Sequence, residues 1–189
     1  MLKKSLMAVF LMLISGTAAL MSQTNNNSVI EVILSGYSAK IFTTKPVSDS
    51  EIDQIVKCGI KAPSGMNRQP WKFTVVRDQA IVGELLPNIT SGNILIVVSG
   101  QEKQDGTIDM FACALATENM YIASQGLGLG AHIYAGPVAN INTNWKQKLG
   151  IPDGYKAVTV LRVGSIDKNI DAVSGASARK KPEEVVNYK

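Results

Sequence analysis

The twelve residues from Ala62 to Phe73 read APSGMNRQPWKF and set one hydroxyl (Ser64) and two amides (Asn67, Gln69) between Pro63 and Pro70. Each amide both donates and accepts hydrogen bonds, and the prolines restrict the backbone that carries them. On chemistry alone two readings stand. One is a turn made of ordinary turn formers; the other is a surface that reads the edge of a planar heterocycle. Rival chemistries are poorly supplied. The single histidine, His132, has no second His, Cys or clustered carboxylate at ligand spacing, so it reads as structural and metal binding is unsupported. A Ser-His or Cys-His nucleophile fails for want of a partner. Gly126-Leu-Gly-Leu-Gly130 has the glycines of a dinucleotide fingerprint, but they follow a helical pattern instead of opening one. They read as a helix stop that permits close packing.

Outward from that loop, the elements that position it follow from pattern. Ser48 and Glu51 have the spacing of a capping box, ahead of a helix with Ile52, Ile55, Val56 and Ile60 on one side and Pro63 at its end. Trp71 to Val76 predicts a strand, and Ile94 to Ser99 a second, buried one. Gln79 to Leu86 predicts a short helix between them. Asp109 to Gln125 is small or apolar nearly all round, which predicts a helix buried on every side and packed partly against a second subunit. Val138 to Leu149 predicts a helix closed by Gly150, Ala157 to Val163 a third strand, and Val185 to Tyr188 a short terminal strand. Near the start, Ser28 to Ser35 has the apolar spacing of a short helix after a polar tether, Gln23 to Asn27. The mix is that of one α+β layered domain without internal repeats.

At 189 residues and 46% hydrophobic composition, the chain can bury a core of that size. Its first 22 residues read as a secretory signal peptide: Lys3-Lys4, an apolar run from Leu6 to Ile14, then small residues, with cleavage expected between Ala18 and Gln23. The run is short of the ~20 residues a membrane span needs; an uncleaved anchor is the alternative. The expectation is an exported protein, periplasmic or secreted, with residues 23–189 as its domain and no stable membrane span after cleavage. Without Lys3 and Lys4 the 19 basic residues become 17 against 15 acidic, a net charge of +2, too little for a nucleic-acid surface. Cys58 and Cys113 lie in apolar helical patterns and read as buried free thiols.

APSGMNRQPWKF resembles the signature of the nitroreductase family, flavoproteins that hold FMN at a homodimer interface. Further matches run in the family's order: Ser38-Ala-Lys40-Ile-Phe42, Ile94 to Val98, Asp109 to Gly130, Leu149 to Gly154, then Arg179 with Glu183-Glu-Val-Val186. The resemblance implies a mainly antiparallel central sheet flanked by helices, with a C-terminal tail swapped onto the partner of a homodimer. It implies FMN phosphate binding by Ser38 and Lys40 beside Tyr37, with Arg179 from the tail. It gives the flavin ring to Pro63, Ser64, Gly65, Asn67 and Gln69, and an N–H near flavin N5 to Gly136, preceded by Ala135. The chain departs from the family where Gly36 and Tyr37 replace two arginines, Lys40 replaces a third, and Ala135 replaces an acid. Lysine lacks the guanidinium fork, so that exchange is not neutral.

The activity this implies is FMN-dependent oxidoreduction in two half-reactions, from NAD(P)H through the flavin to a nitroaromatic, quinone or similar small-molecule acceptor. No side chain acts as a catalytic acid or base in that reading, because the cofactor carries the chemistry. A second reading is a homologue that binds flavin or a related ligand without turnover, motivated by the altered phosphate residues.

Overall fold

The computed structural model describes residues 28–167, 169 and 179–189, so the expected leader and tether lie outside the described residues. The chain divides into two units, Met1–Gly36 and Tyr37–Lys189. In the first, helix α1 (residues 28–35) forms as its spacing predicts and exposes Val29, Ile30, Ile33 and Leu34.

The second unit begins with helix α2 (Asp49–Ile60), started by the expected capping box. The Glu51 N–H donates to Ser48 Oγ at 3.3 Å, and the Ser48 N–H donates to Glu51 Oε2 at 2.7 Å. After the loop come strand β1 (Trp71–Val76), helix α3 (Gln79–Leu85) and strand β2 (Ile94–Gln101). Helix α4 (Met110–Gly126) leads into strand β3 (Gly130–Tyr134), followed by the short helix α5 (Val138–Asn140), strand β4 (Tyr155–Gly164) and helix α6 (Pro182–Val185).

The strands form one sheet in the order β1-β2-β4-β3, antiparallel at every pairing. Burial on both faces explains the unbroken apolar run of β2. Ile94, Ile96 and Val98 join one core with α2 and α4, while Leu95 and Val97 join another with α3 and the α5 region. Packing of α2 on α4 is close: a methyl added at Gly59 would stand 2.7 Å from Met120 Cγ. Among the described residues no helix is long and apolar enough to cross a membrane.

Three expectations need correction. The helix expected over Val138–Leu149 begins as α5 but widens into a π turn at Ile141–Trp145. There the Asn142 side chain accepts from the Ala157 N–H (2.7 Å) and donates to the Ala157 carbonyl (3.0 Å), tying the turn to β4. Instead of a strand, Pro182–Val185 forms one helical turn. Pro182 suits a first turn, and the Lys181 N–H bonds to Glu184 Oε1 at 2.9 Å. Within a single chain helix α4 buries Ala112, Cys113, Ala116, Thr117, Met120 and Ser124, while Met110 and Phe111 are exposed. Cys58 and Cys113 are both free, but Cys58 is exposed.

Candidate functional site

The signature loop has an unusual backbone. Met66, Asn67 and Gln69 have φ of 52°, 53° and 48°, the left-handed region that ordinary side chains avoid. Each such residue costs about 1 kcal/mol or more, least for asparagine. Hydrogen bonds within the loop hold it there. The Gln69 N–H donates to Ser64 Oγ (2.9 Å), the Asn67 N–H to the Ser64 carbonyl (3.0 Å), and Gln69 Nε2 to the Asn67 carbonyl (3.3 Å). Ser64 and Gln69 therefore serve the loop itself, although the Ser64 hydroxyl proton and the Gln69 carbonyl remain available. The side-chain amide of Asn67 has no partner among the described residues. Pro63, Gly65, Asn67 and Gln69 are exposed, and Ser64 is half-buried.

The strip that carries Tyr37, Ser38 and Lys40 is fastened to β3. Ser38 bridges to Ala131, the Ala39 N–H donates to the Ala131 carbonyl (3.0 Å), and His132 Nδ1 bonds the Ala39 carbonyl (2.9 Å). A carbonyl only accepts, so Nδ1 carries the proton. His132 is thus the structural residue its isolation implied. Helix α4 contributes Gln125, whose side-chain oxygen accepts the Tyr37 N–H at 3.0 Å, and Tyr121, whose hydroxyl lies 3.5 Å from Ser38 Oγ. Sequence reasoning named neither residue; both reach the strip across more than 80 positions of chain, and no local pattern marks them.

The GLGLG run explains how the strip lies so near the sheet. Gly126 ends α4, Gly128 takes φ 77°, and Gly130 opens β3. A methyl on Gly130 would stand 2.8 Å from Ala39 Cβ and 3.0 Å from Phe42 Cε1. Ser38 and Lys40 are left exposed on the outer side.

At the far end of β3 lie Ala135 and Gly136, both exposed. The Gly136 N–H has no acceptor among the described residues. Its φ lies outside the left-handed region, and nothing comes within 4 Å of a methyl built there, so the chain's own fold does not require glycine at this position. Arg179 is exposed at the start of the C-terminal segment.

A single chain does not unite these groups. Trp71, next to the loop, shares a rung with Gly100 and Lys156, whereas Ser38 sits level with Ala131 and Val163. Seven residues of β4 separate the rungs, about 23 Å at the usual strand rise. The loop and strip also lie beyond opposite edge strands, three strand spacings or about 14 Å apart. Between them, α4, β3 and β4 leave an apolar groove of about 370 Å³ floored by Met110, Ala114, Ile133 and Val158.

Comparison with known proteins bears on the fold. The sequence profile of the Nitroreductase family matches residues 33–107. A protein of Archaeoglobus fulgidus, provisionally named NADH dehydrogenase/NAD(P)H nitroreductase, is 29% identical over 71% of this chain and 83% of its own length. The NADPH-flavin oxidoreductase of Vibrio harveyi is 26% identical over 76% of this chain and 68% of its own. A nitroreductase with bound FMN from Bacteroides fragilis superposes with TM-score 0.70 at 19% identity, covering 85% of this chain and 98% of that one. Another with bound FMN, from Desulfitobacterium hafniense, gives 0.72 at 20% identity over 86% and 98%. The fold is therefore nitroreductase-like, an α+β arrangement around an open antiparallel sheet.

Proposed function

We propose that this chain is an FMN-dependent oxidoreductase that works as a homodimer, with NAD(P)H as donor and a nitroaromatic, quinone or similar small molecule as acceptor. The observation that carries the reading is Gly136. Its amide has no acceptor among the described residues, and a methyl built there meets none of them within 4 Å, the form of a backbone cradle for a flat ligand. The relatives named for NAD(P)H and flavin chemistry support donor and cofactor, as do the folds solved with FMN.

When bound, FMN supplies the hydride-transfer chemistry; the protein binds, orients and tunes. Ser38 and Lys40 would hold the phosphate, with Arg179 joining from the C-terminal segment. Charge-assisted bonds of this kind are stronger than neutral ones. Asn67 and the free functions of Ser64 and Gln69 would read the ring's polar edge. The Gly136 N–H would face the ring where negative charge develops, as a donor fixed in advance and needing no reorganisation.

Reach supports the homodimer. Between ring and phosphorus the ribityl tether has seven bonds, about 9 Å when extended. The polar edge of the ring adds about 5 Å to that reach. The sum is still short of the about 23 Å along and about 14 Å across the sheet between loop and strip, so in this reading a second copy supplies the loop. The exposed apolar face of α4 and its groove give that copy a surface to cover.

Reconstitution tests the reading. Purified protein with FMN becomes yellow, and anaerobic NADH or NADPH bleaches it until an acceptor restores the colour. Protein that stays colourless, or a yellow protein that neither donor bleaches, refutes the reductase. Export by removal of residues 1–22 belongs to the same proposal; an N-terminal sequence of the mature protein starting at Met1 refutes it.

A further inference from the structure

Tyr121 has no role in the reading above, yet its hydroxyl stands 3.5 Å from Ser38 Oγ. An O–H···O bond favours 2.7–2.8 Å, so the Ser38–Tyr121 bond at 3.5 Å is long and weak, and each hydroxyl keeps capacity for a better partner. An oxygen about 2.8 Å from both fits between them with ordinary geometry. Both positions are fixed. The tyrosine ring is half-buried and packs against the core that holds Ala116 and Met120. Ser38 lies between Tyr37, bonded to Gln125 one helical turn beyond Tyr121, and Ala39, bonded to Ala131. Lys40 follows two residues later, exposed. Two rotatable hydroxyl donors side by side, with a lysine two residues along the same strip, have the chemistry of a receptor for a phosphomonoester.

We infer that Tyr121 is a phosphate ligand: its phenol and the Ser38 hydroxyl donate together to one phosphate oxygen, and Lys40 supplies the charge. This rests on the FMN reading and extends it to a residue on the core helix. No proton is transferred and no bond is made or broken; the role is binding.

Titration of FMN and of riboflavin, which lacks the phosphate, tests the inference in wild type, Tyr121→Phe and Ser38→Ala, with inorganic phosphate as competitor. Each variant is expected to weaken FMN at least about tenfold, as for a lost bond to a charged group, and to leave riboflavin unchanged. Phosphate should compete with FMN better in wild type than in either variant. Should Tyr121→Phe bind FMN as wild type does, or lose FMN and riboflavin equally, the inference fails while the FMN reading stands. A wild-type protein that binds neither flavin ends both. Ser38→Ala alters an exposed side chain, so it keeps the test decisive if Tyr121→Phe proves unstable.

Discussion

Replacing Gly136 with alanine separates what the fold needs from what a bound ring needs. In the chain itself the new methyl meets no atom within 4 Å, and the backbone there is outside the left-handed region. A Gly→Ala change at such a position restricts the unfolded chain and stabilises by about 0.4–1 kcal/mol. For a chain of this size that raises the melting temperature by about 1–4 °C. Against a flavin the sign reverses. A methyl forced into a tight contact costs roughly 1–3 kcal/mol, about 5- to 150-fold in affinity. The assay is thermal melting of the flavin-free protein beside a fluorescence-quenching titration with FMN. Gly100→Ala is the control, because its methyl would stand 2.2 Å from Ile108 Cγ2 and 2.9 Å from Cys113 Sγ; it should lower the melting temperature. If Gly136→Ala melts several degrees lower, or binds FMN within twofold of wild type, the reasoning about this amide is wrong.

Three further outcomes are expected. Asn93→Leu should destabilise by about 2–4 kcal/mol in denaturant titration, because it leaves the buried Arg162 guanidinium without the acceptor it holds at 2.7 Å; Arg162→Met, which removes the charge as well, should cost less, and the opposite ranking contradicts this. Ser48→Ala should cost about 1 kcal/mol at pH 7. The Ser48 hydroxyl, and then its N–H, hold the Glu51 carboxyl below its ordinary value, so this stabilisation is present above the usual glutamate range and fades as pH falls through it; a wild-type advantage that grows on acidification refutes the assignment. Burial first, and then the charge of Asp109, push the Cys113 thiol up to about 11, so at pH 8 only about one thiol in a thousand is ionised. Iodoacetamide at pH 8 should label native Cys58 and spare Cys113 until the chain is denatured, as read by mass spectrometry.

What was legible in the sequence was local. A serine three residues before a glutamate gave the start of α2, and apolar runs gave β1, β2 and β4. The β3 segment was not assigned from sequence, because Gly130-Ala-His-Ile-Tyr134 alternates weakly and becomes a strand by pairing with β4. The π turn depends on Asn142 meeting Ala157, a contact formed only once β4 is in place. Composition placed α4 in the core but did not reveal that Met110 and Phe111 point outward. In the candidate site, the residue types of the loop were readable, whereas left-handed backbone at Met66 and Gln69 was not, since neither side chain favours it. Tyr121 and Gln125 needed the fold to bring α4 beside the strip.

The central claim is that one flavin is held by two chains, and subunit mixing tests it most directly. Lys40→Glu damages the strip and Asn67→Asp the loop, so each homodimer should bind FMN poorly. After unfolding and refolding the two together, the mixed dimer has one site with both alterations and one with neither. Recovery of about a quarter of wild-type FMN binding is predicted from random pairing of the two chains. No recovery above the parent variants would mean that strip and loop act within one chain, and the account would be contradicted.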